Sequence, residues 1–213
     1  MHALVKKKVL TLGLMSLYQK AETVKYVVFA SSCAVYGSKP GATETSELRP
    51  ESPYAATKIT AERIIIDWCQ ESRAKHAILR FFNVIGCDSF AGAADVAETA
   101  VVPSFTRAIK NGRPLRINGS GFNTPDGTCL RDYVDVRDIA NLVNKLVSLF
   151  NAGGWPPSPL NVGQGRPQSV LELAQEVNRL AGRDSGTIQF DSKRIGDPAS
   201  IWADTHLVEA ALE

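Results

Sequence analysis

The sequence predicts an α/β fold, a doubly wound parallel sheet, and three observations carry that prediction. A run of apolar residues, Val27-Val28-Phe29-Ala30, ends in Ser31-Ser32 and reads as a buried strand. Segments of strand length alternate with segments of helical periodicity, which implies strands running in one direction with helices packed on the sheet. Stretches rich in Gly, Pro, Ser and Thr separate them, as turns require.

In order, residues 4–20 read as a helix, 26–31 as a strand, and 37–53 as a loop rich in Gly, Pro, Thr and Glu. Residues 54–71 read as a helix, entered through Pro53 and carrying Ile64, Ile65 and Trp68. A strand is expected over 76–82, loop over 84–99, helix over 101–111 and a short strand over 114–118. Residues 119–127 are turn-rich. Arg131-Asp132-Tyr133-Val134-Asp135-Val136 alternates charge with apolar or aromatic groups, as a half-exposed strand does. Helix is then expected over 136–150, loop over 155–159 and strand over 160–162. Ser169-x-x-Glu172 is a capping box that starts a helix over 170–180. The last helix is expected over 205–213. No internal repeat is present.

At 213 residues the chain can bury a substantial core. A formal charge of +2 is close to balance and argues against nucleic acid or acidic lipid as principal partner. Lys6-Lys7-Lys8 is the one basic run, read as a solvated helix face. Together with residues 9–15 it imitates the charged and apolar parts of a signal peptide, but Leu17-Tyr18-Gln19-Lys20 stands where a small-residue cleavage site belongs. No run approaches the ~18–20 apolar residues of a transmembrane helix. Cys33, Cys69, Cys87 and Cys129 show no Cys-x-x-Cys spacing, and His2, His76 and His206 make no ligand pattern with them. A reducing, cytoplasmic setting and no metal site are expected. Cys33 beside Ser32 is read as a small packed side chain, not a nucleophile.

The chemistry gathers at the end of the first strand. Ligands in open α/β sheets bind beyond the strands' carboxyl ends, where Ser32 is delivered. Tyr54 and Lys58, four residues apart, share one helix face. An ammonium beside a phenol gives the phenol reason to ionise below its ordinary pKa of about 10. A serine hydroxyl beside them completes a proton-transfer site that needs a redox partner. Taken singly, Tyr54 is also a helix-start tyrosine, Lys58 a solvated charge and Ser32 a turn residue; only together do they read as a site.

Those three residues, with the Tyr-x-x-x-Lys spacing, resemble the extended short-chain dehydrogenase/reductase superfamily, and within it the UDP-glucose 4-epimerases and their near relatives. Five further segments stand in that family's order: 52–58, 79–86, 124–136, 160–163 and 196–204. The resemblance implies a Rossmann-like sheet with a smaller C-terminal substrate-binding subdomain. Residues 1–90 would be the C-terminal half of an NAD-binding domain. Residues 91–213 would form mainly a nucleotide-sugar subdomain, with 132–165 returning to the sheet. It further implies NAD-dependent 4-epimerisation of a UDP-sugar, UDP-glucose/UDP-galactose, through a 4-keto intermediate in galactose metabolism. Tyr54 would be the base, with Lys58 holding it ionised and Ser32 orienting the sugar oxygen. These three and Phe82 would meet the cofactor. Asn83 would hydrogen-bond the UDP moiety, Arg131 and Arg194 would neutralise the diphosphate, and Asp197 would contact the nucleotide. Arg116, Ile117 and Asn118 would frame uracil. The helices that pair family members into a homodimer are present by resemblance, and the oligomeric state is left open. Cys33 and Ala34 stand where related dehydratases carry an acidic residue, which favours epimerisation.

The sequence also departs from the family. No glycine-rich turn precedes Val27, although a dinucleotide fold needs one to bring backbone N–H groups to the pyrophosphate. Gly163-Gln164-Gly165 is a near miss, read as a tight turn. By resemblance the opening βα units are absent, about ninety residues at about thirty per unit, and the tail stops within a helix. Truncation at both ends and low turnover by the chain alone are therefore expected. A non-catalytic remnant that only binds nucleotide-sugars or a partner is the alternative. The edge of the strand at 27–31 would then lie open.

Overall fold

The computed structural model describes residues 24–86, 100–184, 187–194 and 196–211. The helix expected over 4–20 lies outside them, as does most of the loop expected over 84–99.

Strand β1 (Tyr26–Ser32) leads through a single 3-10 turn (Cys33–Tyr36) and a long loop into helix α1 (Pro53–Ser72). Ser52 caps α1 by accepting from the Ala55 amide at 3.1 Å, and proline takes the first helical position, where no N–H is needed. Strand β2 (Lys75–Phe81) follows, parallel to β1 in register from Tyr26↔Lys75 to Ser32↔Phe81. Strand β6 (Leu160–Val162) lies parallel on the other side of β2, giving the order β1-β2-β6. Four consecutive residues of β2, Ala77 to Arg80, are buried, as expected of a central parallel strand covered on both faces.

One face of this sheet packs on α1 through Phe29, Ile78, Ala61, Ile65 and Cys69. The other receives helix α3 (Val136–Asn151), whose Ile139, Leu142, Leu146 and Phe150 meet Ala77, Leu79, Leu160 and Val162. Each such large side chain contributes about 1.5–3 kcal/mol on burial. β1 is the open edge among the described residues: its strand partner is β2, and Val28 is 37% exposed.

The chain leaves the sheet after Phe82. Strand β3 (Asn83–Ile85) pairs in parallel with β5 (Leu130–Asp135), which also pairs with β7 (Pro167–Ser169, antiparallel) and β9 (Ser200–Ile201, parallel). Strand β4 (Leu115–Asn118) pairs with β8 (Ile188–Asp191). Helices α2 (Val101–Lys110) and α4 (Val170–Leu180) share a second core with these strands, built on Phe105, Leu115, Ile117, Tyr133 and Leu173. The Ser169/Glu172 capping box is formed reciprocally, at 2.9 and 2.8 Å. The last helix, α5 (His206–Ala210), is shorter than expected.

β5 departs from the half-exposed strand expected there, because Arg131, Asp132, Tyr133 and Val134 are all buried. The reason is electrostatic. Asp132 is fully buried and accepts three backbone N–H groups, from Gln164 (2.6 Å), Gly165 (3.0 Å) and Ala203 (3.0 Å). An ionised carboxylate is tolerated inside when it is so well hydrogen-bonded.

Candidate active site

The 3-10 turn after β1 positions the first residue. Ser32 caps it by accepting from the Ala34 amide at 3.2 Å, and its hydroxyl stands close enough to the Tyr54 phenol to act on it. Tyr54 stands in the first turn of α1, 41% exposed. Lys58, one turn on, holds its ammonium 5.7 Å from the centre of the Tyr54 ring and 5.0 Å from that of Phe29. The sheet thus brings Ser32, Tyr54 and Lys58 together at the carboxyl end of β1, the edge strand among the described residues.

The lysine's hydrogen bond goes to the strand edge. Lys75 N donates to the Lys25 carbonyl, so odd-numbered residues of β1 face β2 and even-numbered ones face the open edge. The Ala30 carbonyl is on that open edge, and Lys58 Nζ donates to it at 2.7 Å. Burial raises the Tyr54 pKa, the Ser32 hydroxyl opposes that shift, and the thiol of Cys33 adds to it. Lys58 is engaged by a carbonyl beside the ring. Burial in turn lowers the Lys58 pKa, and Glu62 counters it.

Below the trio lies a polar network invisible in the sequence. Arg80 and Glu62, each side chain 5% exposed, form an ion pair, and Ser31 Oγ donates to Glu62 Oε1. Arg80 Nη1 donates to the Tyr36 hydroxyl at 2.8 Å, which donates to Asn161 Oδ1 at 2.7 Å. Glu62 stands one turn after Lys58 on α1. That four-residue spacing was the available signal; its buried partner Arg80 lies on another element.

Phe82 is packed among Val35, Tyr36, Ala42, Ile201 and Ala203, 4% exposed. Cys33 packs against the same cluster, and burial pushes its thiol up to about 12, against the pull of Arg131. A raised thiol pKa disfavours the thiolate that would act as a nucleophile.

A cavity of about 180 Å³ opens beyond β3 and β5, and it gathers Asn83, Arg116, Asn118, Arg131, Arg194 and Asp197. Ile117 is the exception among the residues expected at the nucleotide. On β4, period-2 alternation turns Arg116 and Asn118 toward the cavity and buries Ile117 in the core, 1% exposed. Arg116 is held in a fork by Asp191, at 2.8 and 2.6 Å. With the Asn118 amide oriented to satisfy both groups, its oxygen accepts from Arg194 Nη2 at 3.1 Å and Nε at 3.3 Å. Arg131 donates to the Leu130 carbonyl at 2.9 Å and lies 3.7 Å from Asp197. The turn before β5 is as the sequence suggests: Asp126 Oδ1 accepts from the Thr128 amide at 2.8 Å, and Gly127 has φ +78°. A Cβ on Gly127 would lie 2.4 Å from the Ser120 carbonyl, so only glycine fits. Ser104 and Tyr133 also line the cavity and were not anticipated.

Gly163-Gln164-Gly165 does not form a phosphate cradle. Its N–H groups at Gln164 and Gly165 are taken by Asp132. Among the described residues no three His, Cys, Asp or Glu side chains cluster as metal ligands would, and no helix is long and apolar enough to cross a membrane.

Ser32, Tyr54 and Lys58 at a strand tip, beside an arginine-lined cavity on a parallel sheet, stand on a Rossmann-like fold. Residues 4–163 match the NAD dependent epimerase/dehydratase family, and the chain belongs to that family. It is 35% identical over 183 residues to the UDP-glucose 4-epimerase of Azospirillum brasilense, covering 83% of this chain and 52% of that protein. It is 30% identical over 213 residues to a probable UDP-arabinose 4-epimerase of Oryza sativa subsp. japonica, covering 90% of this chain and 48% of the other. The chain therefore spans about half the length of these relatives. Among solved structures, UDP-glucose 4-epimerase from Brucella ovis in complex with NAD superposes with a TM-score of 0.85 at 31% identity, covering 96% of this chain and 65% of that one. An epimerase from Stenotrophomonas maltophila with bound NAD and formylated UDP-arabinopyranose gives 0.82 at 29% identity, covering 95% and 61%.

Proposed function

We propose that this chain carries the proton-transfer trio and the nucleotide-sugar cavity of an NAD-dependent UDP-sugar 4-epimerase, with UDP-glucose and UDP-galactose as its sugars and galactose metabolism as its setting. The observation that carries the reading is Ser32 beside the Tyr54 phenol with Lys58 one helical turn away, on the same β1–β2 unit that leads into the arginine cavity.

The donor set at the β1 tip fits the nicotinamide end of the cofactor. Tyr54 is partly exposed, Ser32 carries a hydroxyl, and an ammonium has three N–H donors of which Ala30 takes one. For the pyrophosphate end, the N–H groups of Gln164 and Gly165 are already committed to Asp132. When bound, NAD supplies the oxidation and re-reduction of the sugar's C4 carbon. Everything else is the work of this chain. Tyr54 Oη takes the proton of the 4-hydroxyl and returns it, Ser32 orients the same oxygen, and Lys58 supplies positive charge beside the phenol. Arg131 and Arg194 neutralise the diphosphate, Asn83 and Asp197 hold the nucleotide, and Arg116 and Asn118 frame the base. Only a backbone role is left for Ile117, whose side chain is in the core. Cys33 and Ala34 offer no acid for elimination, which favours epimerisation over dehydration.

Calorimetric titration of UDP-glucose and UDP-galactose, with and without NAD, tests the reading. Binding of both sugars, weakened in Arg131→Ala, supports it. Failure of either to bind overturns it. Conversion of UDP-galactose to UDP-glucose in the presence of NAD, abolished in Tyr54→Phe, extends the reading from binding to turnover.

A further inference from the structure

Tyr133 is 7% exposed and lines the arginine cavity, yet its hydroxyl oxygen is shut off from water and has no hydrogen-bond partner among the described residues. Buried phenol oxygens almost always find a partner, because leaving one unmade forfeits the hydrogen bond it had with water. The ring is well placed to meet a ligand. Tyr133 is the register partner of Asn83 across the β3–β5 ladder, so the two side chains stand together on one face. Arg131, two residues earlier on β5, shares that face and is the charge that acts most strongly on the phenol. Its guanidinium is held by the Leu130 carbonyl and by a 3.7 Å approach to Asp197.

We propose that Tyr133 is a ligand-binding residue whose hydroxyl donates to an oxygen of the diphosphate of a bound nucleotide. This rests on the nucleotide-sugar reading of the cavity. A diphosphate bound by Arg131 lies on the face of β5 that also carries Tyr133, two residues on. Guanidinium and hydroxyl then converge on one phosphate, with Asn83 beside them. The unmade hydrogen bond is the cost that the free protein carries so that the anion finds a donor already oriented for it.

Tyr133→Phe keeps the ring, the packing and the fold while removing the oxygen. Titration of UDP into the wild type and the variant is expected to show binding weakened about tenfold or more, the range for a hydrogen bond to a charged group. The melting temperature of the ligand-free variant is expected to be unchanged or higher, because no buried donor is left unpaired. Equal UDP affinity in the two proteins overturns the proposal and leaves the nucleotide reading standing. A melting temperature several degrees lower in the variant also overturns it, since the hydroxyl must then have a partner within the protein. If the wild type itself does not bind UDP, the nucleotide reading fails and takes this assignment with it.

Discussion

Arg80 on β2 closes a fork on Glu62 of α1, with Nε 3.1 Å from one carboxylate oxygen and Nη2 2.7 Å from the other. The fork fixes the rotation of α1 against the sheet, and Tyr54 and Lys58 ride on that helix. Removing one partner strands a buried charge. Glu62→Ala or Arg80→Ala is therefore expected to cost about 3–5 kcal/mol, read from urea unfolding. Replacing both by methionine should recover most of that loss. Single variants as stable as the wild type would refute the role.

Asp132 is expected to be as sensitive. Asp132→Ala leaves the amides of Gln164, Gly165 and Ala203 without an acceptor and should cost at least about 3 kcal/mol. Hydrogen exchange followed by NMR provides the local check. Those three amides should lose protection in the variant before the rest of the sheet does.

Alkaline pH should destabilise the chain. Burial raises Tyr36 and Tyr133 from 10.0 to about 12, and Cys33 from 9.0 to about 12. Between those limits the unfolded chain has released protons that the folded chain still holds, so stability falls as pH rises. The stability is fully present below about pH 9 and declines toward pH 12, by about 2–3 kcal/mol for each buried tyrosine at the upper end. Urea midpoints measured at intervals from pH 8 to 11 test the sign; a flat profile contradicts it.

The arginines of the cavity should not contribute equally to anion binding. Arg116 is already neutralised in a fork by Asp191, whereas Arg131 has only a 3.7 Å approach to Asp197. Arg131→Ala is expected to weaken UDP binding by about ten- to a hundredfold, and Arg116→Ala by less. Calorimetry on both variants settles the order, and the reverse ranking would contradict the charge assignment.

What the sequence disclosed was what local chemistry writes down. The Ser169/Glu172 box marks the start of α4 at its observed residue, Pro53 marks α1, and the apolar run from Val27 marks β1. Strands β7, β8 and β9 have two to four residues each and exist only through partners far along the chain, such as Ser200 opposite Leu130. No window of sequence contains that pairing. The site divides the same way. Tyr54 and Lys58 announce themselves by helical spacing. Glu62 meets Arg80, and Tyr133 meets Asn83, only after the sheet has formed. Ile117 was grouped with its neighbours by order along the chain, but alternation sends it inward.

The middle of β5 assigns opposite duties to neighbours. Arg131 and Tyr133 look into the cavity, while Asp132 between them ties down Gln164, Gly165 and Ala203 on the reverse side. A slip of one residue along this strand would present a carboxylate to an incoming anion and thrust a guanidinium among backbone amides that can only donate. Misalignment here would thus cost folding and ligand capture at once. A chain that captures the nucleotide has thereby shown that this strand is threaded correctly.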